Sequence, residues 1–438
     1  MLIEFSVGNY RSFHEIVTLS MAAAKLKAKY ESVDADNVFP VTESMNLLKS
    51  AAIYGANASG KSNLIRAMAF MRDFVIHSVM LSQAGDPISV DPFRLSTTTE
   101  NAPSFFQMIF YMDGKRYRYG YEVDGQRIHS EWLYHAKKRE TRLFIREGDD
   151  FDLSSVFKEG RGLEARTRDN ALFLSVVAQF NGPTAKGIIG WFRDLRIMSG
   201  LEDVGYRLFT MQRLESDDTR NPIVELVRQL DVDIVDIRIE DVEPGVKFTG
   251  LGVPPPGARS FVQKLQNLLS ESDSRIGKSK TLTTFHRKFD EHDQPVALEA
   301  FDMDLHESHG TQKLVALAGP ILDALTNGGI LIIDELDARL HPLMTCFLIR
   351  QVNSRATNPE NAQLIFATHN TNVLRNDIFR RDQIWFTEKD RYGATVLYSL
   401  AEYKVRNDAS YGKDYIAGKY GAIPYLGSLE HLADDIDG

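Results

Sequence analysis

Eight residues, Gly55-Ala56-Asn57-Ala58-Ser59-Gly60-Lys61-Ser62, constrain this chain more than any others. They fit the spacing G-x-x-x-x-G-K-[ST] without a mismatch. The apolar run Ser50 to Tyr54 predicts a strand before them, and the spacing of apolar residues from Asn63 to Met80 predicts a helix after them. That strand–loop–helix context is what the pattern needs to work. The glycines let successive backbone N–H groups turn inward around phosphate oxygens. The following helix adds the positive end of its dipole. Lys61 is then placed to reach the β- and γ-phosphates, and the Ser62 hydroxyl to ligate Mg²⁺. The helix stripe Leu64, Met68, Met71 and Val75 reads as core.

A second group of residues suits the same chemistry. Gly329 to Ile333 is a continuous apolar run ending in Asp334 and Glu335. Such a run predicts a strand buried on both faces of a parallel sheet. Open α/β sheets place ligands at the carboxyl ends of their strands. Asp334 is expected to hold Mg²⁺, and Glu335 to orient or deprotonate an attacking water. Leu364 to Thr368 predicts another buried strand, ending at His369, which can hydrogen-bond a γ-phosphate and register its loss. Ser308-His309-Gly310-Thr311-Gln312 precedes a helix expected over about Lys313 to Leu325. Its small polar residues read either as an anion site at a helix N-terminus or as plain capping by Ser308 or Thr311.

Residues 2 to 7 and 16 to 21 predict strands around the turn at Asn9 to Phe13. Lys25, Lys27 and Lys29 read as a solvated face. From Ser104 the apolar period becomes two: Phe106 to Tyr111, Arg116 to Val123 and Arg127 to His135 predict an antiparallel meander, with Asp113-Gly114 and Asp124-Gly125 as hairpin turns. Leu143 to Ile145 and Phe151 extend it. From Asn170 to Gln229 helical spacing dominates. Ile234 to Ile239 predicts a strand, Gly250 to Gly257 a loop, Ser260 to Leu269 a short helix, and Thr281 to Asp302 a hairpin turning at Asp290 to Asp293.

The net charge of −9 excludes a uniformly nucleic-acid-binding surface. Local clusters remain candidates: Arg161, Arg166 and Arg168, or Lys278, Lys280, Arg287 and Lys288. The single cysteine, Cys346, excludes a disulfide framework and a thiolate metal site. The window Leu314 to Ile333 is interrupted by Pro320, Asp323 and Asn327 and reads as buried helix then strand, not as a membrane span. The N-terminus carries no secretory pattern, so a cytoplasmic protein without a membrane partner is expected.

The full set resembles the ABC-type ATPases of the SMC, RecF and OLD kind. More narrowly, it is similar to stand-alone AAA-labelled bacterial proteins encoded with phage-defence systems. The order carries the likeness: a first strand followed by Asn9-Tyr10-Arg11-Ser12, the phosphate loop, a long insertion, a signature, the Asp-Glu strand and a switch histidine. Arg406-Asn407-Asp408 and Tyr420 to Pro424 also match the stand-alone group. The resemblance implies an α/β fold: an ABC-type P-loop ATPase head with a parallel or mixed sheet flanked by helices, an antiparallel β subdomain and a mainly helical insertion. The head is expected over residues 1–165 and 281–438, and the insertion over 166–280. By resemblance the ligands are ATP and Mg²⁺. Gly55, Asn57, Ala58, Ser59, Gly60, Lys61, Ser62 and Asn63 surround the phosphates. Arg11 and Phe13 contact nucleotide. Ser308, Gly310 and Thr311 contact the γ-phosphate of a second subunit, although the signature lacks the family's two adjacent glycines. Leu336 to His341 resembles the D-loop. Gln107 is the weak candidate for the lobe's metal-facing glutamine, Gln83 a weaker one.

The implied function is a nucleotide-dependent switch. Paired heads, as a homodimer or higher oligomer, control a separately encoded effector in anti-phage defence. The alternatives are an ATP-gated DNA-binding or repair ATPase that takes DNA or RNA, and a nuclease in its own right. The only cluster for the latter is His286, Asp290, Glu291, His292 and Asp293, and no room is expected after His369 for the nuclease domain that OLD proteins append.

Overall fold

The computed structural model describes residues 1–80, 82–201, 204–231, 233–242, 279–406 and 409–424. By its internal contacts the chain forms two units, Met1–Glu202 with Asp323–Gly438, and Asp203–Leu322. The first unit begins with β1 (Leu2–Gly8), β2 (Val17–Ser20), α1 (Glu31–Asn37), β3 (Val38–Thr42), β4 (Met45–Leu48) and β5 (Ser50–Gly55). The phosphate loop follows, then α2 (Lys61–His77). Next come β6 (Ser104–Met112), β7 (Lys115–Val123), β8 (Ile128–Ala136), β9 (Glu140–Glu147) and β10 (Asp150–Leu153), then α3 (Phe173–Gln179), α4 (Pro183–Arg193) and β11 (Leu195–Ser199). The second unit holds α5 (Val204–Leu214), α6 (Asp217–Leu230), β12 (Ile234–Val242), β13 (Ser279–Phe289), β14 (Pro295–Asp302) and most of α7 (His309–Asn327). The chain then completes the first unit with β15 (Ile330–Asp334), α8 (Pro342–Asn353), β16 (Gln363–Ala367), β17 (Ile384–Lys389), β18 (Thr395–Ser399) and α9 (Tyr411–Ile416).

Two sheets build the first unit. One is the expected meander, seven strands in the order β10-β9-β8-β7-β6-β1-β2, antiparallel throughout. Its period-2 pattern works as read: Phe106, Met108 and Phe110 are buried and the residues between them are half-open. Asp113 and Gly114 both have positive φ (50° and 73°), the requirement of a tight two-residue hairpin turn. Asp124-Gly125 differs. There the turn runs from Asp124 to Arg127, and the Asp124 carboxylate closes it by accepting from the N–H groups of Gln126 and Arg127, both at 2.8 Å.

The other sheet is mixed, in the order β11-β15-β16-β5-β17-β18. All but the β17–β18 pair are parallel. β5 and β16 are buried at every position, which is why their sequences read as unbroken apolar runs. α2 packs against β1 of the first sheet and against β5, β11 and β15 of the second. Leu64, Met68, Met71 and Val75 are all buried, as the stripe predicts. Tyr10, Phe70, Phe106 and Tyr121 add a chain of ring contacts at 5.0 to 5.7 Å.

The contacts part the chain elsewhere than at 166 and 281. α3 and α4 pack on α2, and β11 pairs with β15, so residues up to 199 build the head. The hairpin β13–β14 pairs with β12, so residues 281–302 build the insertion. Among its described residues the second unit shares its helical content with this three-stranded antiparallel sheet. The loop expected at Gly250 to Gly257 and the helix expected at Ser260 to Leu269 lie outside the described residues.

Candidate functional site

Parallel order puts three strand ends on one edge. β15 ends at Asp334, β16 leads to His369, and β5 ends at the phosphate loop, each strand next to the following one. At about 4.8 Å per strand, the three ends fall within roughly 10 Å. This is the edge where open α/β sheets hold ligands.

The loop is a cradle with no room for side chains at its glycines. A Cβ on Gly55 would collide with Thr387 and Ser59, and one on Gly60 with the Thr395 side chain. Gly60 also needs a φ of +117°, and Ala58 sits at +60°, which turns the local N–H groups inward. Asn57 and Ala58 are exposed at the tip, and Ser59 and Gly60 are buried. The Ser59 hydroxyl bonds Thr387 Oγ1 at 2.7 Å, and its N–H donates to Ala56 O at 3.2 Å. The Ser59 hydroxyl is therefore engaged in anchoring the loop to β17. Thr395 Oγ1 donates to Ser59 O at 2.8 Å and lies 2.9 Å from Ser12 Oγ, which accepts from Asn63 Nδ2 at 2.8 Å. Asn63 thus ties the helix start to the N-terminal turn.

Lys61 is 5% exposed and donates to Gly55 O at 2.8 Å and Ala56 O at 2.9 Å. Burial pushes its ammonium down to about 8, against the pull of Asp334, Glu335 and Asp337. Phosphate needs the charged form. Nucleotide affinity is therefore expected to fall as pH rises through about 8, by about tenfold from pH 7 to pH 9, one unit above the pKa. Fluorescent-nucleotide titrations across that range check this. Lys61→Arg removes the dependence, since a guanidinium stays protonated throughout.

The acids that face Lys61 come from one turn. Glu335 has φ +53°, a left-handed backbone that costs an ordinary residue about 1–3 kcal/mol and clusters at functional sites. Leu336 N–H donates to Ala367 O at 3.1 Å and Ala338 N–H to Glu335 O at 3.0 Å, which hold the turn in place. Oδ1 of Asp334 and Oδ1 of Asp337 are buried with no hydrogen-bond partner. Buried carboxylate oxygens without a donor are costly, and a cation is the partner they lack. Mg²⁺ takes one or two carboxylates with substrate phosphates, so the donor set of Asp334 and Ser62 fits that ion.

Two contributors escaped the sequence reading. In the sequence Asp337 carries no signature of its own beyond the stretch that resembles the D-loop, and Gly200 carries none. Ser199 pairs with Asp334 across β11–β15, and Gly200 N–H donates to Asp334 O at 2.5 Å. A Cβ on Gly200 would collide with the carbonyls of Glu335 and Asp334. Only a short strand hidden in a helical stretch brings Gly200 there.

His369 is open to solvent, and partial burial, then the Lys61 ammonium, push its imidazole below its usual range. It is therefore neutral at pH 7 and can donate one hydrogen bond and accept another. Arg11, with φ +51°, pairs with Asp91 at 3.3 Å and donates to Tyr10 Oη at 3.2 Å. Phe13 is fully buried in the core, so it supports the turn and does not present a surface to nucleotide.

In the second unit Ser308 caps α7, its Oγ accepting from Thr311 N–H at 3.1 Å. Thr311 Oγ1 bonds Asp231 Oδ2 at 2.8 Å. Ser308 thus caps the helix, a role compatible with an anion site at the same turn, and Gly310 lies in the first turn. Gln107 lies on the sheet face opposite Phe106 and Met108, and its Oε1 accepts from Trp132 Nε1 at 3.1 Å. Gln83 O accepts from Asn170 Nδ2 at 2.7 Å in a surface loop.

The nuclease cluster dissolves. His286 pairs with Glu307 at 2.7 Å, and Asp290 Oδ1 closes the hairpin turn by accepting from His292 and Gln294 N–H, both at 2.9 Å. Among the described residues no group of three His, Cys, Asp or Glu is placed to hold a metal. The cations proposed for nucleic acid are largely engaged. Arg168 donates to Ser82 O at 2.7 Å, Arg166 stacks on Phe180, Lys280 pairs with Glu215, and Lys288 pairs with Glu299 at 2.7 Å. Lys278 lies outside the described residues. No described helix is long and apolar enough to cross a membrane.

The sequence model of the family described as "AAA domain, putative AbiEii toxin, Type IV TA system" matches residues 50–375, more than half of the chain. The chain belongs to that family. The match runs from β5, through the loop and the acids, to just beyond His369. No curated protein matches the chain. Similar solved structures include an SMC head bound to the C-winged helix domain of ScpA, with 14% identity and a TM-score of 0.46, covering 92% of this chain and 99% of that one. The SMC head domain from Thermotoga maritima follows with 13% identity, a TM-score of 0.40 and coverage of 91% and 98%. The recombination mediator RecF-ATPrS gives 14%, 0.36, 91% and 98%.

Proposed function

We propose that this chain binds ATP with Mg²⁺ at the phosphate loop, hydrolyses it to ADP and phosphate, and uses the cycle to open and close paired copies of itself. The observation that carries this is the meeting of Lys61 with Asp334, whose buried Oδ1 has no hydrogen-bond partner, and the adjacent Glu335 at one sheet edge. Backbone N–H groups of residues 55–62 and the start of α2 cradle the phosphates. Lys61 gives up its two carbonyl partners for phosphate oxygens. Ser62 and Asp334 would hold the metal, which would neutralise charge on the phosphates. Glu335 takes or orients a water proton, and neutral His369 hydrogen-bonds the terminal phosphate. Arg11 reaches the nucleotide by leaving Asp91. In a second copy, Ser308, Gly310 and Thr311 complete the site.

Such a cycle converts γ-phosphate contacts into a change of assembly, which is the means to control a separately encoded effector. The family's description, which names a toxin of a toxin–antitoxin system, supports a place among paired components. The anti-phage role rests on the resemblance to stand-alone defence ATPases. Light scattering with Mg²⁺ and ATP tests the paired-head reading. Glu335→Gln should trap a larger or tighter assembly than wild type, and Lys61→Ala should not. A mass that ignores nucleotide in all three proteins overturns nucleotide-driven pairing.

A further inference from the structure

The first unit carries a groove of about 460 Å³, apart from the phosphate loop, lined by His341, Leu343, Cys346, Leu374, Arg375 and Ser410 among others. Its size lies within the roughly 300–1,000 Å³ of ordinary binding clefts. One wall is the first turns of α8, which follow the turn bearing Glu335. Another is the segment after His369. The third is the start of α9, pressed so closely on that segment that a Cβ on Gly412 would lie 3.0 Å from Thr371 O and 3.3 Å from Leu374 O.

The groove's chemistry is apolar and positive. Leu343 is 71% exposed at its rim. No acid lines it. Arg375 and Arg350 share a single carboxylate, Asp377, at 2.8 and 2.7 Å, so among the described residues two cations face one acid there. The occupant that fits carries apolar side chains between carboxylates.

The chain itself contains such a segment. Residues 425–438, outside the described residues, carry Glu430, Asp434, Asp435 and Asp437 and no Lys or Arg. Leu426, Leu429, Leu432 and Ile436 recur every third or fourth residue. The chain approaches this segment beside α9: Tyr415 Oη donates to Ala422 O at 2.9 Å and Tyr398 Oη to Tyr420 O at 2.8 Å. The groove lies at the other end of α9, about 9 Å away along the helix. Fully extended, the segment reaches about 45 Å. A short tether of this kind also raises the effective concentration of its own segment to the order of millimolar.

We infer that the groove is the seat of the chain's own acidic segment, residues 425–438, docked through its leucines with its carboxylates toward Arg350 and Arg375. Because two walls continue directly from Glu335 and His369, a filled groove holds the two hydrolytic turns together. This reading stands whether or not the chain hydrolyses ATP.

Cys346 is the only cysteine and sits in the groove wall, so its alkylation reports occupancy. The rate of Cys346 alkylation by iodoacetamide, followed by mass spectrometry, is compared in three full-length proteins: wild type, Leu343→Glu at the exposed rim, and the pair Leu429→Ser with Leu432→Ser. Both variants should label about tenfold faster than wild type, the change that corresponds to about 1.4 kcal/mol of docking. A synthetic peptide of residues 425–438 should restore protection to the double-serine variant and not to Leu343→Glu. Unfolding would also expose the thiol, but the peptide would not reverse it. Equal rates in all three proteins overturn the proposal. So does fast labelling that the peptide leaves unchanged. Protection that grows with protein concentration overturns the seat on the chain's own groove and places the segment on a second copy.

Discussion

Replacing Glu335 by glutamine is expected to lower ATP turnover by about 10²–10⁴-fold while nucleotide affinity stays near that of wild type. The amide keeps the size of the carboxylate and loses its basicity, so only proton transfer to the side chain is removed. The backbone that aims Glu335 is independent of its side chain. It is fixed by the left-handed φ of +53° and by the bonds of Leu336 to Ala367 O and of Ala338 to Glu335 O. Glutamine can hold the same place at similar cost. Lys61→Ala should behave in the opposite way. It deletes the cation proposed to meet the phosphates, so affinity itself should fall and turnover with it. Asp334→Asn should weaken the Mg²⁺ dependence first, because its buried Oδ1 is an acceptor without a protein donor. Single-turnover phosphate release together with equilibrium titration separates the three. If Glu335→Gln releases phosphate at the wild-type rate, Glu335 is not the base, and Asp337, another acid whose field reaches Lys61, becomes the group to test.

Much of this site was legible because the chemistry and the fold ask for the same residues. The loop needs glycine where Thr387 and Thr395 crowd it, and the spacing of Gly55 and Gly60 announces that need. A parallel strand buried on both faces must be apolar, so β5, β15 and β16 stood out, and the polar residues that end them stood out with them. The meander was legible through its period of two and its Asp-Gly turns. What stayed hidden was long-range pairing. β11 is five residues within a stretch of helical spacing, and its strand character comes from the edge of β15 that it covers. The hairpin β13–β14 is legible in its own residues, but its attachment to β12 cannot be seen in them. That missing partner moved the boundary of the insertion. Side-chain roles inside the loop were also hidden. Nothing in the run Gly55 to Ser62 shows that the Ser59 hydroxyl is spent on Thr387.

The clearest test of the hidden part is Gly200→Ala. It is expected to cost about 1–3 kcal/mol of stability, the usual range for forcing a group into a packed site. It should also lower turnover by about 10²-fold, the effect of roughly 1 Å of misplacement at a reacting group. The methyl has no free direction: the nearest atoms are the carbonyl oxygens of Glu335 and Asp334. Either β11 lifts from β15, or the turn bearing Glu335 moves. The first outcome breaks the pairing of Ser199 with Asp334, and the second displaces Glu335. Gly190→Ala is the matching control. It lies within α4, a Cβ there meets nothing within 4 Å, and alanine should stabilise the helix by about 0.5–1 kcal/mol. Nucleotide affinity should survive both changes, since neither touches the loop or Lys61. The expected signature of Gly200→Ala is therefore a lower melting temperature and slower hydrolysis with binding preserved. Unchanged hydrolysis beside a lower melting temperature would mean that β11 yields and Glu335 does not. In that case the strand supports the fold, and the aim of the carboxylate belongs to its own turn.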